Sequence, residues 1–204
     1  MNRVMLLVNQ IPAELRSILH RNDAIVAGGY IRDWFAGSEP KDMDIFCQAP
    51  KQLSTDLLNA GGKILHTTAN AVTYNYMGRI LQVIAKWRFK DAKDCIDHFD
   101  FTVCAAAVQF SERGPSFYHH PDFFVDLAGR RLRLVTPGTD EPAASLTRMI
   151  KFIQRGYVIA APDLATLLQR IMHKHHGASL TQLVSALAEI DPMNVEVYDD
   201  IHSV

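Results

Sequence analysis

The chain has 204 residues, of which 48% are hydrophobic and 21% charged, with a formal net charge of -1. That length buries a real core and suits one main domain, and the composition is that of ordinary globular proteins. The near-neutral balance excludes an electrostatic footprint for wrapping a long nucleic acid, and the three cysteines, Cys47, Cys95 and Cys104, are too few and too widely spaced for a disulfide framework, which suits a reduced, cytoplasmic setting.

Residues 3–8 read as a strand, and the apolar run that opens the chain is too short for a signal peptide or a membrane span. Pro12 then opens a helix bearing Leu15, Ile18 and Leu19. Residues 24–27 read as a buried strand ended by Gly28 and Gly29, which let the backbone approach a ligand closely. The segment 30–35 starts a helix whose unpaired amides favour an anion, and Arg32 adds a charged donor there, while Asp33 suits pairing with Arg32. Trp34 and Phe35 are expected to pack beneath that helix. In the strand 42–46 the period of two places Asp42 and Asp44 on one face and directs Met43 and Ile45 into the core. Two hard oxygen ligands on one face suit magnesium, which leaves its remaining positions to water or phosphate.

Further along, Leu53, Leu57 and Leu58 mark a helix closed by Gly61 and Gly62, and a strand follows at 63–66. Residues 72–76 and 80–84 read as a hairpin around Met77 and Gly78, with Tyr74 and Tyr76 sharing one face. A long strand is expected over 101–110, a turn over 111–115, and two strands at 123–127 and 132–135 flanking 128–130. A helix over 145–157 carries Leu146, Met149, Ile150 and Ile153 on one side and Arg148, Lys151 and Arg155 on the other. Two more helices follow, one with Leu164, Leu167, Leu168, Ile171 and Met172, the next with Leu180, Leu183, Val184, Leu187 and Ile190, opened by a capping pair of Ser179 and Gln182. Their apolar faces suit a partner or intramolecular packing equally, so oligomeric state is open, and the last residues, 199–204, read as loose. His173, His175 and His176 read as cations complementing a helix end, and His119 and His120 as a turn.

Taken in order, Gly28-Gly29, Ile31-Arg32-Asp33, Gly37, Pro40-Lys41-Asp42 and Asp44-Ile45 resemble the head-domain signature of class II CCA-adding enzymes and bacterial poly(A) polymerases, within the DNA polymerase β nucleotidyltransferase superfamily. The hairpin at 72–84, the segment Asp100-Phe101-Thr102 and the helix ending in Arg155-Gly156-Tyr157 are similar to later parts of the same head. The resemblance implies an α/β (α+β) fold with a mixed, largely antiparallel sheet, a head over 1–157 and a short helical extension over 158–204. It implies transfer of a nucleoside monophosphate from a nucleoside triphosphate to an acceptor hydroxyl, with an RNA 3′ end, tRNA above all, as the acceptor. Asp42, Asp44 and Asp100 would hold Mg2+ or Mn2+ and carry the catalysis, while Gly28, Gly29, Arg32, Lys41, Arg148 and Lys151 would hold the triphosphate. The chain departs from the family in having Gln82 for a glutamate and Phe99 for an arginine, and no base-templating Glu-Asp-x-x-Arg element is recognisable around 140–142. Its length implies a minimal version of the family. Two alternatives stand beside this reading: nucleotidylation of a protein or small molecule, and a degenerate domain that binds a nucleotide or a partner without turnover.

Overall fold

The computed structural model describes residues 3–136, 138–139, 141–177, 179 and 182. A seven-stranded sheet organises it: β1 (Ile25–Ala27), β2 (Asp42–Phe46), β3 (Lys63–Thr67), β4 (Ala71–Tyr76), β5 (Arg79–Ile84), β6 (Ala106–Ser111) and β7 (Gly114–His119), in the order β3-β4-β5-β2-β1-β6-β7. The pairing is antiparallel except between β2 and β5. This is the mixed, largely antiparallel sheet expected from the sequence. Alternation along β1 sends Val26 to one core cluster with Met43, Ile45 and Val83, and sends Ile25 and Ala27 to another with Phe46 and Phe89. Tyr74 and Tyr76 are buried in the first cluster, which leaves neither ring free to stack on a ligand.

The helices α1 (Arg3–Asn9), α2 (Ala13–Arg21), α3 (Gly29–Phe35), α4 (Pro50–Asn59), α5 (Ala92–Asp97), α6 (Phe123–Gly129), α7 (Pro142–Gln154) and α8 (Ala161–Lys174) surround the sheet. Four expected elements differ from what forms. Residues 3–8 belong to α1 rather than to a strand, because Val4, Leu7 and Val8 stand at i, i+3, i+4 spacing, with Leu7 and Val8 buried and Val4 packed against the same core cluster. The strand over 101–110 begins only at Ala106, since a 3₁₀ turn, Thr102–Cys104, precedes it. Residues 123–127 are helical, with Phe123, Asp126 and Leu127 at the i, i+3, i+4 positions that face the core. The strand at 132–135 shrinks to β8 (Arg131–Leu132), which pairs in parallel with β9 (Val158–Ile159).

The faces of the last two helices also differ from their reading. On α7 the buried stripe runs through Ser145, Met149 and Phe152, whereas Ile150 and Ile153 are exposed. On α8, Leu167 is buried and Leu164 and Ile171 pack partly, while Leu168 and Met172 face outward. The Ser179 amide donates to Gln182 Oε1 at 2.7 Å and the Gln182 amide to Ser179 Oγ at 3.3 Å, the reciprocal capping arrangement. Apart from Gln182, the helix expected through 180–190 and the tail at 199–204 lie outside the described residues. No helix among the described residues is long and apolar enough to cross a membrane.

Candidate active site

The turn between β1 and α3 sets the site. Gly28 has φ +77°, and a Cβ there would lie 3.0 Å from the Phe99 ring and 3.9 Å from Asp44 Oδ2. Only glycine combines that backbone with that space. Its amide is tied to Ala106 O at 3.0 Å and its carbonyl accepts from the Arg32 amide at 3.1 Å, so the turn is locked to β6 on one side and to α3 on the other. Antiparallel pairing of Ala27 with Asp44 then brings the β2 carboxylate over the turn.

Along β2, Met43 and Ile45 are buried on the core side, which fixes Asp42 and Asp44 on the opposite face. Burial and then the nearby charge of Asp42 push the Asp44 carboxyl up to about 7, with Arg32 acting in the other direction. Two carboxylates held in this electrostatic conflict are hard oxygen donors whose mutual repulsion a divalent cation relieves, so the donor set fits Mg2+ or Mn2+. The parallel register sets Gln82 opposite Asp44, and its Nε2 donates to Asp42 Oδ2 at 3.0 Å.

Asp100 does not join them. It is buried, its Oδ1 accepts from the Phe101 amide at 2.9 Å, and its Oδ2 is taken by Arg148 Nε. Among the described residues no group of three or more His, Cys, Asp or Glu side chains is placed to hold a metal ion.

A cavity of about 580 Å³ opens beside Asp44. Of the expected residues it brings together Gly29, Arg32, Asp44, Asp100, Arg148 and Lys151. Lys41 and Asp42 are exposed outside its lining, and Gly28 lies beneath it. Arg32 is buried and held on three sides: Nε donates to Asp33 at 2.7 Å, Nη1 to Cys104 Sγ at 3.3 Å, and the guanidinium stands 5.1 Å from the centre of the Phe152 ring. Burial opposes its charge, but Cys104 and Asp33 outweigh that and raise its pKa, so it stays cationic. Sequence reasoning missed Trp87, Phe89, Asp94 and His98, which also line the cavity. The cluster Trp87-Arg88-Phe89, an aromatic and basic run in a loop, was the available signal.

The sequence model described as "Gabija anti-defense 2 family protein" matches residues 2–130. The chain belongs to the Gabija anti-defense 2 family. A relative described as "Gabija anti-defense 2", from Bacillus phage SPbetaL7, is 32% identical over 162 residues, covering 78% of this chain and 40% of that protein. Among solved structures, the Thermotoga maritima CCA-adding enzyme complexed with tRNA is similar with a TM-score of 0.62 at 18% identity, over 91% of this chain and 50% of that one. A CCA-adding enzyme in complex with ATP is similar with a TM-score of 0.65 at 17% identity, over 91% and 49%. These likenesses establish the nucleotidyltransferase fold. At under 20% identity they do not carry the CCA-adding class. The chain spans about half the length of those structures and 40% of that relative.

Proposed function

We propose that this chain is a metal-dependent nucleotidyltransferase that opposes Gabija defence by transferring a nucleoside monophosphate from a nucleoside triphosphate to a hydroxyl on a Gabija protein. The observation that carries the reading is the Asp44 carboxylate set over the Gly28-Gly29 turn, beside a cavity walled by Arg32, Arg148 and Lys151. In this reading residues 1–157 are the catalytic head and 158–204 a helical extension on it. Asp42 and Asp44 would hold the cation, which when bound would supply positive charge against the triphosphate and acidify the attacking hydroxyl. Gly28 and Gly29 admit the phosphates to the start of α3, with Lys41 at the open edge and Arg32, Arg148 and Lys151 along the wall countering their charge. Asp100 aims Arg148 at the cavity rather than binding metal. The acceptor oxygen forms its bond to the α-phosphorus as the bond to pyrophosphate breaks, and the hydroxyl proton passes to solvent.

Family membership supports a defence component, rather than an RNA 3′ end, as the acceptor. A binding-only reading is favoured by one observation, the bond from Gln82 to Asp42, which occupies a metal-facing carboxylate. Both are decided by incubating the protein with α-labelled triphosphates, Mg2+ or Mn2+, purified Gabija proteins and total RNA, and by plating phage on Gabija-carrying cells. Label on a Gabija protein that disappears in Asp42→Ala/Asp44→Ala, together with loss of phage protection, is the expected result. Label on RNA restores the RNA acceptor. Full protection by the double variant overturns catalysis and leaves binding.

A further inference from the structure

A second cavity, about 670 Å³, is bounded by α1, the C-terminal half of α3, α6 and the chain around 155–157. Arg32, Phe152 and Arg155 line both cavities and form the partition between them. Arg3, Arg32, Arg130 and Arg155 contribute four guanidinium groups against a single carboxylate, Asp33, which is already bonded to Arg32. Arg3 stands 6.0 Å from the Trp34 ring and 5.6 Å from that of Phe35. Neither Arg130 nor Arg155 has a carboxylate partner among the described residues.

The backbone is shaped to place Arg130 here. Its φ of +49° is left-handed, an uncommon state for a residue with a side chain, and Gly156 at the facing position has φ +83°. The Val158 amide donates to Arg130 O at 2.9 Å, and the parallel pairing of Arg131 with Val158 begins directly after. Consequently Arg130 Nη1 reaches across to within 3.2 Å of where a Cβ at 156 would lie. Like charges gathered around one cavity disfavour each other, and an anion removes that penalty. The walls are also aromatic. Phe35 and Phe124 stand edge to face with centres 5.1 Å apart, as do Phe152 and Tyr157 at 5.0 Å, and the Phe124 ring is 40% exposed. Guanidinium groups recognise phosphate and exposed ring faces recognise a planar base, within a volume ordinary for a small ligand.

We propose that this cavity is a second nucleotide site, separate from the one beside Asp44, that takes a nucleoside monophosphate unit with its phosphate among Arg3, Arg130 and Arg155 and its base on the Phe124 side. The unit comes either from a free nucleotide or from the phosphorylated end of an oligonucleotide. The test is calorimetric titration, without turnover, of wild-type protein, Arg3→Gln/Arg130→Asn and Asp44→Asn. The probes are the four nucleoside monophosphates, a 5′-phosphorylated RNA hexamer and its unphosphorylated twin. Asparagine tolerates the left-handed backbone at 130, and neither altered arginine borders the first cavity. At least tenfold weaker binding in the double arginine variant, with Asp44→Asn unchanged, is the expected result. Binding of the free nucleotides identifies the small-molecule source, and binding of the phosphorylated hexamer alone identifies the chain end. Phe124→Ser, at an exposed ring, is expected to weaken binding severalfold and serves if the arginine variant melts early. Equal affinity in wild type and both cavity variants, or no binding of any probe to wild type, overturns the site. Because Asp44→Asn is read separately, failure of nucleotidyl transfer leaves this outcome untouched.

Discussion

Asp44 couples the site to stability through its charge. Its carboxyl is raised from 3.8 to about 7, chiefly by burial and then by Asp42. Between those two values the folded state binds more protons than the unfolded one, so stability falls as pH rises through the window and stays lowered above it. Asp44→Asn cannot ionise. In metal-free buffer it is expected to melt at about the wild-type temperature near pH 3, below both values, and a few degrees higher near pH 8, and added Mg2+ at pH 8 should raise the wild type alone. A variant that melts with wild type at both pH values would remove the conflict between the two carboxylates. Gly28 is constrained differently, by space and by φ together. Gly28→Ala should cost about 1–3 kcal/mol in denaturant unfolding for the backbone state alone, plus the contact at 3.0 Å with Phe99. Adding Phe99→Leu is expected to recover the contact part and not the backbone part. Complete recovery would mean that the turn tolerates a side chain.

At the scale of elements, the strand, turn, helix and strand from 24 to 46 are legible because each carries its own local signal. The apolar run of β1, the paired glycines and the period of two in β2 agree with one another. Residues 101–104 and 123–129 are not legible, because long-range bonds decide them. Thr102 Oγ1 donates to the fully buried Asp126 at 2.7 Å, and Arg133 Nη2 lies 3.3 Å from that carboxylate's other oxygen, so the 3₁₀ turn and α6 exist to meet each other. A short apolar run with one acid at its centre reads equally well as a strand until that partner is known. The place of Asp100 is hidden for the same reason, since its partner Arg148 comes from α7. That pair ties α7 to the segment before β6 and can be measured as a unit. Arg148→Ala leaves a buried carboxylate short of one bond and should cost about 1–3 kcal/mol, and Asp100→Asn a similar amount. The double variant should cost clearly less than the sum in urea unfolding. Additive costs would show that the contact does not hold α7 in place.

Across the whole molecule, two core clusters lie on opposite faces of the sheet, and a third, with Phe101, Leu132, Met149, Phe152 and Leu167, joins α7 and α8 to the segment that precedes β6. Arg32 bridges this third cluster and the glycine turn, through Phe152 on one side and the helix it starts from on the other. The cavity beside Asp44 therefore has one wall built on the sheet and one built on α7, and its shape depends on how firmly the third cluster is packed. Leu167 is 1% exposed on α8 and lines neither cavity, so it tests that dependence from outside the site. Leu167→Ala should lower stability by about 2–5 kcal/mol. If α7 and α8 open as one unit ahead of the sheet, amide exchange in this variant should quicken across 142–174 while β1, β2 and β6 keep their protection. The same loosening moves Arg148 and Lys151, so binding of a magnesium-bound triphosphate should weaken severalfold although no residue of the site has changed. Uniform acceleration of exchange over all strands would make the molecule one cooperative unit, and unchanged triphosphate affinity would separate the packing of α8 from the cavity wall.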